Sequence, residues 1–189
     1  RPLRWFLALL DTEVVEFSTA KIKSGRKTWG HRVMGPGPFE VEKADDYFEV
    51  ISSQGMVSLQ IEGRKDKIKI HGEREAAALD ARVAWDDKLL GEVANLVEYP
   101  KPMIGKFEDK FLELPREVLL TSIQSHQKSF GVEDSDGNLK AYFLTTLNME
   151  PPEPELVRKG WEKVLKARLE DARFFFEADR KVGLNEWLE

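Results

Sequence analysis

Three short stretches of this sequence hold residue types that could do chemistry. In Thr28-Trp29-Gly30-His31-Arg32 an imidazole sits beside a guanidinium inside a glycine-rich stretch. A loop that presents both donors can bind a phosphate or a carboxylate. The structural alternative is that Arg32 pairs with a carboxylate while His31 bonds to backbone. In the second stretch, Leu119, Ile123 and His126 share one face of a predicted helix, with Ser122 nearly on it. Such a histidine is expected to point inward or into a cleft, where it could carry a proton. Buried polar groups more often find structural partners, and no third member completes a Ser122–His126 triad. In the third stretch, Trp161, Val164, Leu165, Ala172 and Phe175 read as the apolar stripe of a long last helix with Arg168 in its middle. A buried guanidinium needs a counter-charge. Asp171, three residues on, is in reach, and Arg173 with Glu177 forms a second spaced pair. A clamp holding the helix is one reading; a phosphate site is the other.

Metal and thiol chemistry find no support. His31, His71 and His126 do not fall at ligand spacing, and no carboxylate cluster joins them, so no structural metal is expected. The absence of cysteine excludes disulfides, thiolate ligands and a cysteine nucleophile, and is compatible with a cytoplasmic location. Gly35-Pro36-Gly37 has neither the spacing nor the following helix of a nucleotide fingerprint, so no cofactor is expected in the segment. The net charge of −5 means that any RNA contact must be local or lie outside the chain. No apolar run approaches the roughly 18 residues that would span a bilayer. Arg1-Pro2-Leu3-Arg4-Trp5 shows neither an initiator Met nor a signal pattern, so the chain is read as an internal segment.

The elements that must position these groups follow from periodicity and punctuation. Trp5–Leu10 and Val14–Phe17 read as two strands joined by a turn. Residues 23–38, with four glycines and two prolines, read as loop or bulged strand. Lys43–Ser53 has helical spacing and stops at Gly55. Ile61 to Leu79 reads as a helix, with a strand alternative where Ile68 and Ile70 alternate with lysines. Asp86-Asp87 caps a helix carrying Leu89, Leu90, Val93 and Leu96, and Pro100 and Pro102 break the chain after it. Pro115-Arg116-Glu117 opens a helix to about His126. Phe130 to Leu147 reads as a hairpin turning at Asp134-Ser135-Asp136-Gly137-Asn138. Pro151, Pro152 and Pro154 stiffen a connector to a helix over 155–179. Strands and helices mix without βαβ alternation, which predicts an α+β fold with mixed or antiparallel strands and packed helices. The expected organisation is a core over 1–150, then a Pro-rich connector and long helix over 151–189 leading to a next domain.

An ordered set of blocks carries a resemblance. It comprises Arg1-Pro2-Leu3-Arg4-Trp5, Ser24-Gly25 through Gly30-His31-Arg32, Leu96-Val97-Glu98-Tyr99-Pro100 and Phe111-Leu112-Glu113-Leu114-Pro115-Arg116-Glu117-Val118-Leu119. It continues with Thr121-Ser122-Ile123-Gln124-Ser125-His126-Gln127-Lys128-Ser129-Phe130 and Val164 through Phe175. These blocks, in this order, resemble the β subunit of the bacterial-type heterotetrameric glycyl-tRNA synthetase, in a segment preceding its HD-like domain. Val33, Ser129 and Phe176 depart from the family's usual Phe, Tyr and Tyr. Departure at Ser129 weakens any role for an aromatic hydroxyl there.

The resemblance implies an α2β2 ligase that joins glycine to tRNA(Gly) with ATP, with the class II catalytic site, ATP and Mg on the α subunit. It implies the α subunit, tRNA(Gly) and the rest of the β chain as partners. It also implies a fold similar to the core editing-type domain of the phenylalanyl-tRNA synthetase β chain. Fold does not transfer function. Glycine is the smallest amino acid, so a tight synthetic pocket excludes larger competitors without editing. The expectation is therefore a non-catalytic structural or tRNA-organising module. The alternatives are a hydrolytic editing domain using His126 with Ser122 or Thr121, and a scaffold that touches only protein. Candidate tRNA-facing or structural residues are His31, Arg32, Arg116, His126, Gln127, Lys128, Arg168, Asp171 and Arg173.

Overall fold

A computed structural model describes residues 3–181. The chain divides into two compact units, Arg1–Arg64 and Lys65–Glu189. This division falls inside a helix and not at the expected boundary near 150. The last eight residues of the expected 151–189 segment lie outside the described residues, as do Arg1 and Pro2.

The first unit is built from short strands. They are β1 (Phe6–Leu7), β2 (Leu9–Leu10), β3 (Glu13–Val14), β4 (Ser18–Thr19), β5 (Ile22–Gly25), β6 (Lys27–Thr28) and β7 (Phe39–Glu40). β2 and β3 form the expected strand–turn–strand, turning at Asp11. β5 lies between β1, which it pairs in parallel, and β4, antiparallel. A 3-10 turn at Ala44–Asp46 leads into helix α1 (Tyr47–Ser53), which stops before Gly55 as the sequence predicts.

The second unit opens with helix α2 (Ile61–Ala77), whose first turn carries the boundary. The helical reading thus holds over the strand alternative at Ile68–Ile70. Strand β8 (Arg82–Ala84) follows, then helix α3 (Asp87–Leu96), where the Asp86 carboxylate accepts the Leu89 amide proton at 2.8 Å, the cap expected of it. Strand β9 (Lys101–Lys106) comes next, then a 3-10 segment Asp109–Glu113 and helix α4 (Arg116–Thr121). Strands β10 (Phe130–Glu133) and β11 (Leu139–Leu147) form the expected hairpin, and helix α5 runs Pro154–Asp179. At the hairpin tip the Asp134 carboxylate accepts the Asp136 and Asn138 amides, both at 2.9 Å, an Asx turn. The strand order is β8-β10-β11-β9, antiparallel throughout. The described fold is α+β.

This sheet is apolar on both faces. Pairing places Phe130 opposite Leu144 and Val132 opposite Val83, all buried. Their face meets α2 so closely that a methyl group at Gly72 would lie 2.7 Å from Leu144 Cδ2. The other face carries Phe143, which packs with Phe111, Leu114, Leu119, Ile123, Leu165 and Leu169 from the 3-10 segment, α4, the turn after it and α5. Gly105 on β9 leaves room for the Phe143 ring, since a Cβ there would stand 2.5 Å from Phe143 Cζ.

The buried line of α5 is Leu165 and Leu169, with Trp161 and Phe176 packed beside them. Arg168 is exposed, and so are Val164 and Phe175. The predicted stripe is therefore rotated from the real one by roughly 60°, at about 100° per residue. Val164 and Phe175 are apolar but lie on the flank, and they draw the predicted face towards Arg168. Leu169→Ala should cost about 2–5 kcal/mol as a core cavity, whereas Arg168→Ala should stay within about 0.5 kcal/mol. Denaturant melts of the two variants check the register of α5, and the reverse ranking would refute it.

Candidate functional sites around the π turn and the lysine groove

His31 is buried, and the structure ties it into its own loop. Its amide donates to the Gly55 carbonyl at 2.6 Å, and its Nδ1 accepts the amides of Val33 at 3.2 Å and Met34 at 3.1 Å. The imidazole serves as a local turn cap, the structural alternative among its two readings. Arg32 beside it is exposed.

Helix α4 does not continue as an α-helix to His126. Residues Ser122–His126 form a π turn, in which hydrogen bonds reach one residue further than in an α-helix. Each residue then advances less than the usual 100° or so. Ser122 and Ile123 remain buried, but three narrower steps carry His126 away from the core. His126 is exposed, which corrects the expectation that it is buried. Ser122 Oγ donates back to the Val118 carbonyl at 3.0 Å, so the hydroxyl is engaged within its own helix. The π turn closes through Lys128, which holds a left-handed backbone at φ 49° and sends its amide to the Gln124 carbonyl. Lys128 Nζ reaches Glu92 on α3 at 2.8 Å. Gln127 is half-buried next to it.

Arg116 is a clamp and not an open anion site. It donates to the Gly137 carbonyl at 2.8 Å and to Glu133 Oε2 at 2.7 Å, while Arg82 holds Glu133 Oε1 at 2.9 Å. Glu133 is buried, and its carboxylate joins α4, β8 and the hairpin tip. The expected Arg168–Asp171 pair is absent among the described residues. Both side chains are exposed, because the helix face they share is turned from the core. The second spaced pair exists, with Arg173 Nε 2.7 Å from Glu177.

Sequence reasoning does not single out a groove of about 780 Å³ in the second unit. Its walls are the end of β9 with the turn after it, the start of β11, and one flank of α5. Lys106, Lys140, Lys159, Lys163 and Lys166 line it, with Tyr142 and Phe107 between them. The acidic residues on its rim are mostly occupied. Glu108 pairs with Lys166 and Lys110, whose hydrogen bonds hold its carboxyl below the usual carboxylate range. Glu162 accepts the Lys106 amide at 3.0 Å. Lys140 is also engaged, donating to the Leu79 carbonyl at 2.7 Å. Lys106, Lys159 and Lys163 pair with no carboxylate among the described residues. The signal available in sequence is the Lys159, Lys163, Lys166 spacing on one helix face.

A family model described as "Glycyl-tRNA synthetase beta subunit" matches residues 1–189. The chain is 52% identical over 188 residues to the glycine–tRNA ligase beta subunit of Nitratidesulfovibrio vulgaris strain Hildenborough. It is 54% identical over 188 residues to that of Oleidesulfovibrio alaskensis and 42% identical over 189 to that of Limosilactobacillus reuteri. Each alignment covers 100% of this chain and 27% of the relative, so the chain spans about a quarter of the proteins it matches.

The Glu92–Lys128 contact predicts a pH dependence. The hydrogen bond from Lys128, then its charge, holds the Glu92 carboxyl below the usual carboxylate range in the fold. A depressed folded value means the contact stabilises above the ordinary range and that this stabilisation disappears as pH falls through the folded value. Melts of wild type and Glu92→Gln across pH should differ near neutrality and converge on acidification. A gap that stays constant into acid would show that the contact contributes nothing through this proton.

Proposed function

Since the chain belongs to the glycyl-tRNA synthetase beta subunit family, we propose that it is a non-catalytic module of that ligase, one that organises tRNA(Gly) for the catalytic subunit. The whole enzyme on this reading is an α2β2 assembly in the cytoplasm. ATP, Mg and glycine are handled by the α subunit, and this segment contacts tRNA and the rest of its own β chain. No helix among the described residues is long and apolar enough to cross a membrane.

One observation carries the non-catalytic part. Of the two hydroxyls considered as partners for His126, Ser122 Oγ is buried on the Val118 carbonyl while the imidazole is exposed, which leaves Thr121, itself exposed, as the remaining candidate. A nucleophile needs its base within about 3 Å or one water away, and this arrangement supports a binding role for the π turn over an editing role. The scaffold reading has its own support in the exposed Phe174 and Phe175 on α5, whose ring centroids lie 5.5 Å apart, since large apolar side chains grouped at a surface mark contact regions.

The experiment is a tRNA crosslinking footprint on the α2β2 enzyme, with hydrolysis of mischarged seryl-tRNA(Gly) measured in parallel. Crosslinks to this segment are expected, with no hydrolysis above the uncatalysed rate. His126→Ala should leave the melting temperature unchanged, because its side chain is exposed. Hydrolysis abolished by Thr121→Ala, Ser122→Ala or His126→Ala would overturn the reading in favour of editing. A footprint that omits the segment altogether would favour the scaffold.

A further inference from the structure

The groove on the flank of α5 has a chemistry that the family assignment does not specify. Its three unengaged ammonium groups come from two elements far apart in sequence. Lys106 ends β9, while Lys159 and Lys163 stand one turn apart on α5, about 6 Å along the axis. They are brought together although the chain carries a net charge of −5. Like charges gathered on a surface repel, and the carboxylates in the groove are outnumbered by its lysines. Of the three carboxylates that line the groove, Glu108 is taken by Lys110 and Lys166 and Glu162 accepts a backbone amide, which leaves Asp109 and the residual charge of Glu162 against five lysines.

The residue types narrow the ligand. All the cations lining the groove are lysines. An ammonium is a compact point charge on a flexible stem, and it binds phosphate without fixing its orientation. Planar, bidentate recognition of a carboxylate favours arginine. Phe107 and Tyr142 add partly buried rings to the same wall, surfaces against which a sugar or base can pack. Cations strung along an open groove suit successive phosphates of a strand better than one small anion.

We propose that this groove binds the phosphodiester backbone of RNA through Lys106, Lys159 and Lys163, and that it is the surface by which the segment engages tRNA. The inference rests on the tRNA-organising reading above and gives it a location. Contacts of this kind hold and orient the backbone and do not read sequence.

The test uses the α2β2 enzyme with the full-length β chain carrying Lys106→Gln, Lys159→Gln and Lys163→Gln together. Equilibrium binding of tRNA(Gly) is measured from low to physiological salt. For every phosphate of a single-stranded region that the protein no longer neutralises, the slope of log K against log[salt] shrinks by about 0.7. The triple variant should therefore show a slope smaller by about 2 and an affinity reduced by about tenfold or more at physiological salt. Glycine-dependent pyrophosphate exchange measured without tRNA, and the melting temperature, should be unchanged. A control variant with Lys21→Gln, Lys23→Gln and Lys43→Gln, all exposed in the first unit, removes the same charge elsewhere and should leave the slope near that of wild type.

An unchanged slope and affinity in the groove variant would overturn the proposal, and so would an equal reduction in the control. The crosslinking footprint separates this failure from failure of the wider reading. Crosslinks confined to another surface of the segment would refute the groove alone. Crosslinks absent from the whole segment would refute both.

Discussion

The second unit depends on one constraint: its central strands are apolar on both faces. Along β11 the side chains alternate between two cores, with Leu144 turned to α2 and Phe143 turned to α4 and α5. An antiparallel sheet can leave one face to water, but this one cannot, because both sets of residues are large and fully buried. Helices must cover each side. Where they approach most closely, the sequence supplies glycine: Gly72 under Leu144, and Gly105 under the Phe143 ring. The buried charge among these strands is Glu133, which sits at the end of β10 because Arg82 and Arg116 both reach it. A carboxylate left there alone would cost several kcal/mol. The half-exposed arginines make the cluster worth less than a fully buried triad. Its effect is geometric, since one acid fixes the start of α4 against the hairpin.

That constraint also sets what the surface can offer. Because Leu165 and Leu169 must face Phe143, the rotation of α5 about its own axis is fixed. Lys159, Lys163 and Lys166 then fall on the flank beside β9 and β11, where the groove lies. Val164 and Phe175 fall on the opposite flank and stay exposed. A helix with one core face therefore presents two different flanks, one rich in lysine and one that carries Val164 and Phe175 beside Arg168. Their separation is a consequence of packing, and needs no further specification than the position of two leucines.

Much of this is legible in the residues. The Asp134–Asn138 hairpin, the Asp86 cap, the helical reading of α2 and the existence of α5 all rest on local signals within a few residues. What escapes a reading of the sequence depends on distant partners. β9 reads as a break because of Pro100 and Pro102, yet proline is tolerated at a sheet edge, and β9 is the edge strand beside β11. β8 is three residues long and gains its identity only by pairing with β10. The phase of α5 comes out wrong because periodicity weighs Val164 and Phe175 equally with Leu169. His126 is misplaced because one π turn, which has no sequence signature, rotates everything after it. The groove is invisible for the same reason as β9: its lysines are assembled across more than fifty positions of sequence.

The π turn and the groove express the same logic at two scales. In the π turn a wider helical turn is held by Lys128, whose left-handed backbone is a conformation few non-glycine residues adopt. Such strain persists only where surrounding contacts over-determine it, and here the Lys128 amide and ammonium are both engaged, on Gln124 and Glu92. The outcome is an exposed imidazole at a corner tied through Lys128 to Gln124 and Glu92. In the groove, ion pairs with Lys110 and Lys166 neutralise Glu108, so the remaining lysines outnumber the remaining acids. In both places the fold uses internal pairing to decide which polar groups face outward. On the proposed tRNA-organising reading this control matters, because long flexible lysines gain most when fewer acids around them are left unpaired. Catalytic chemistry would instead demand that a few groups be brought within hydrogen-bond reach of each other, and the engaged Ser122 hydroxyl runs against that demand.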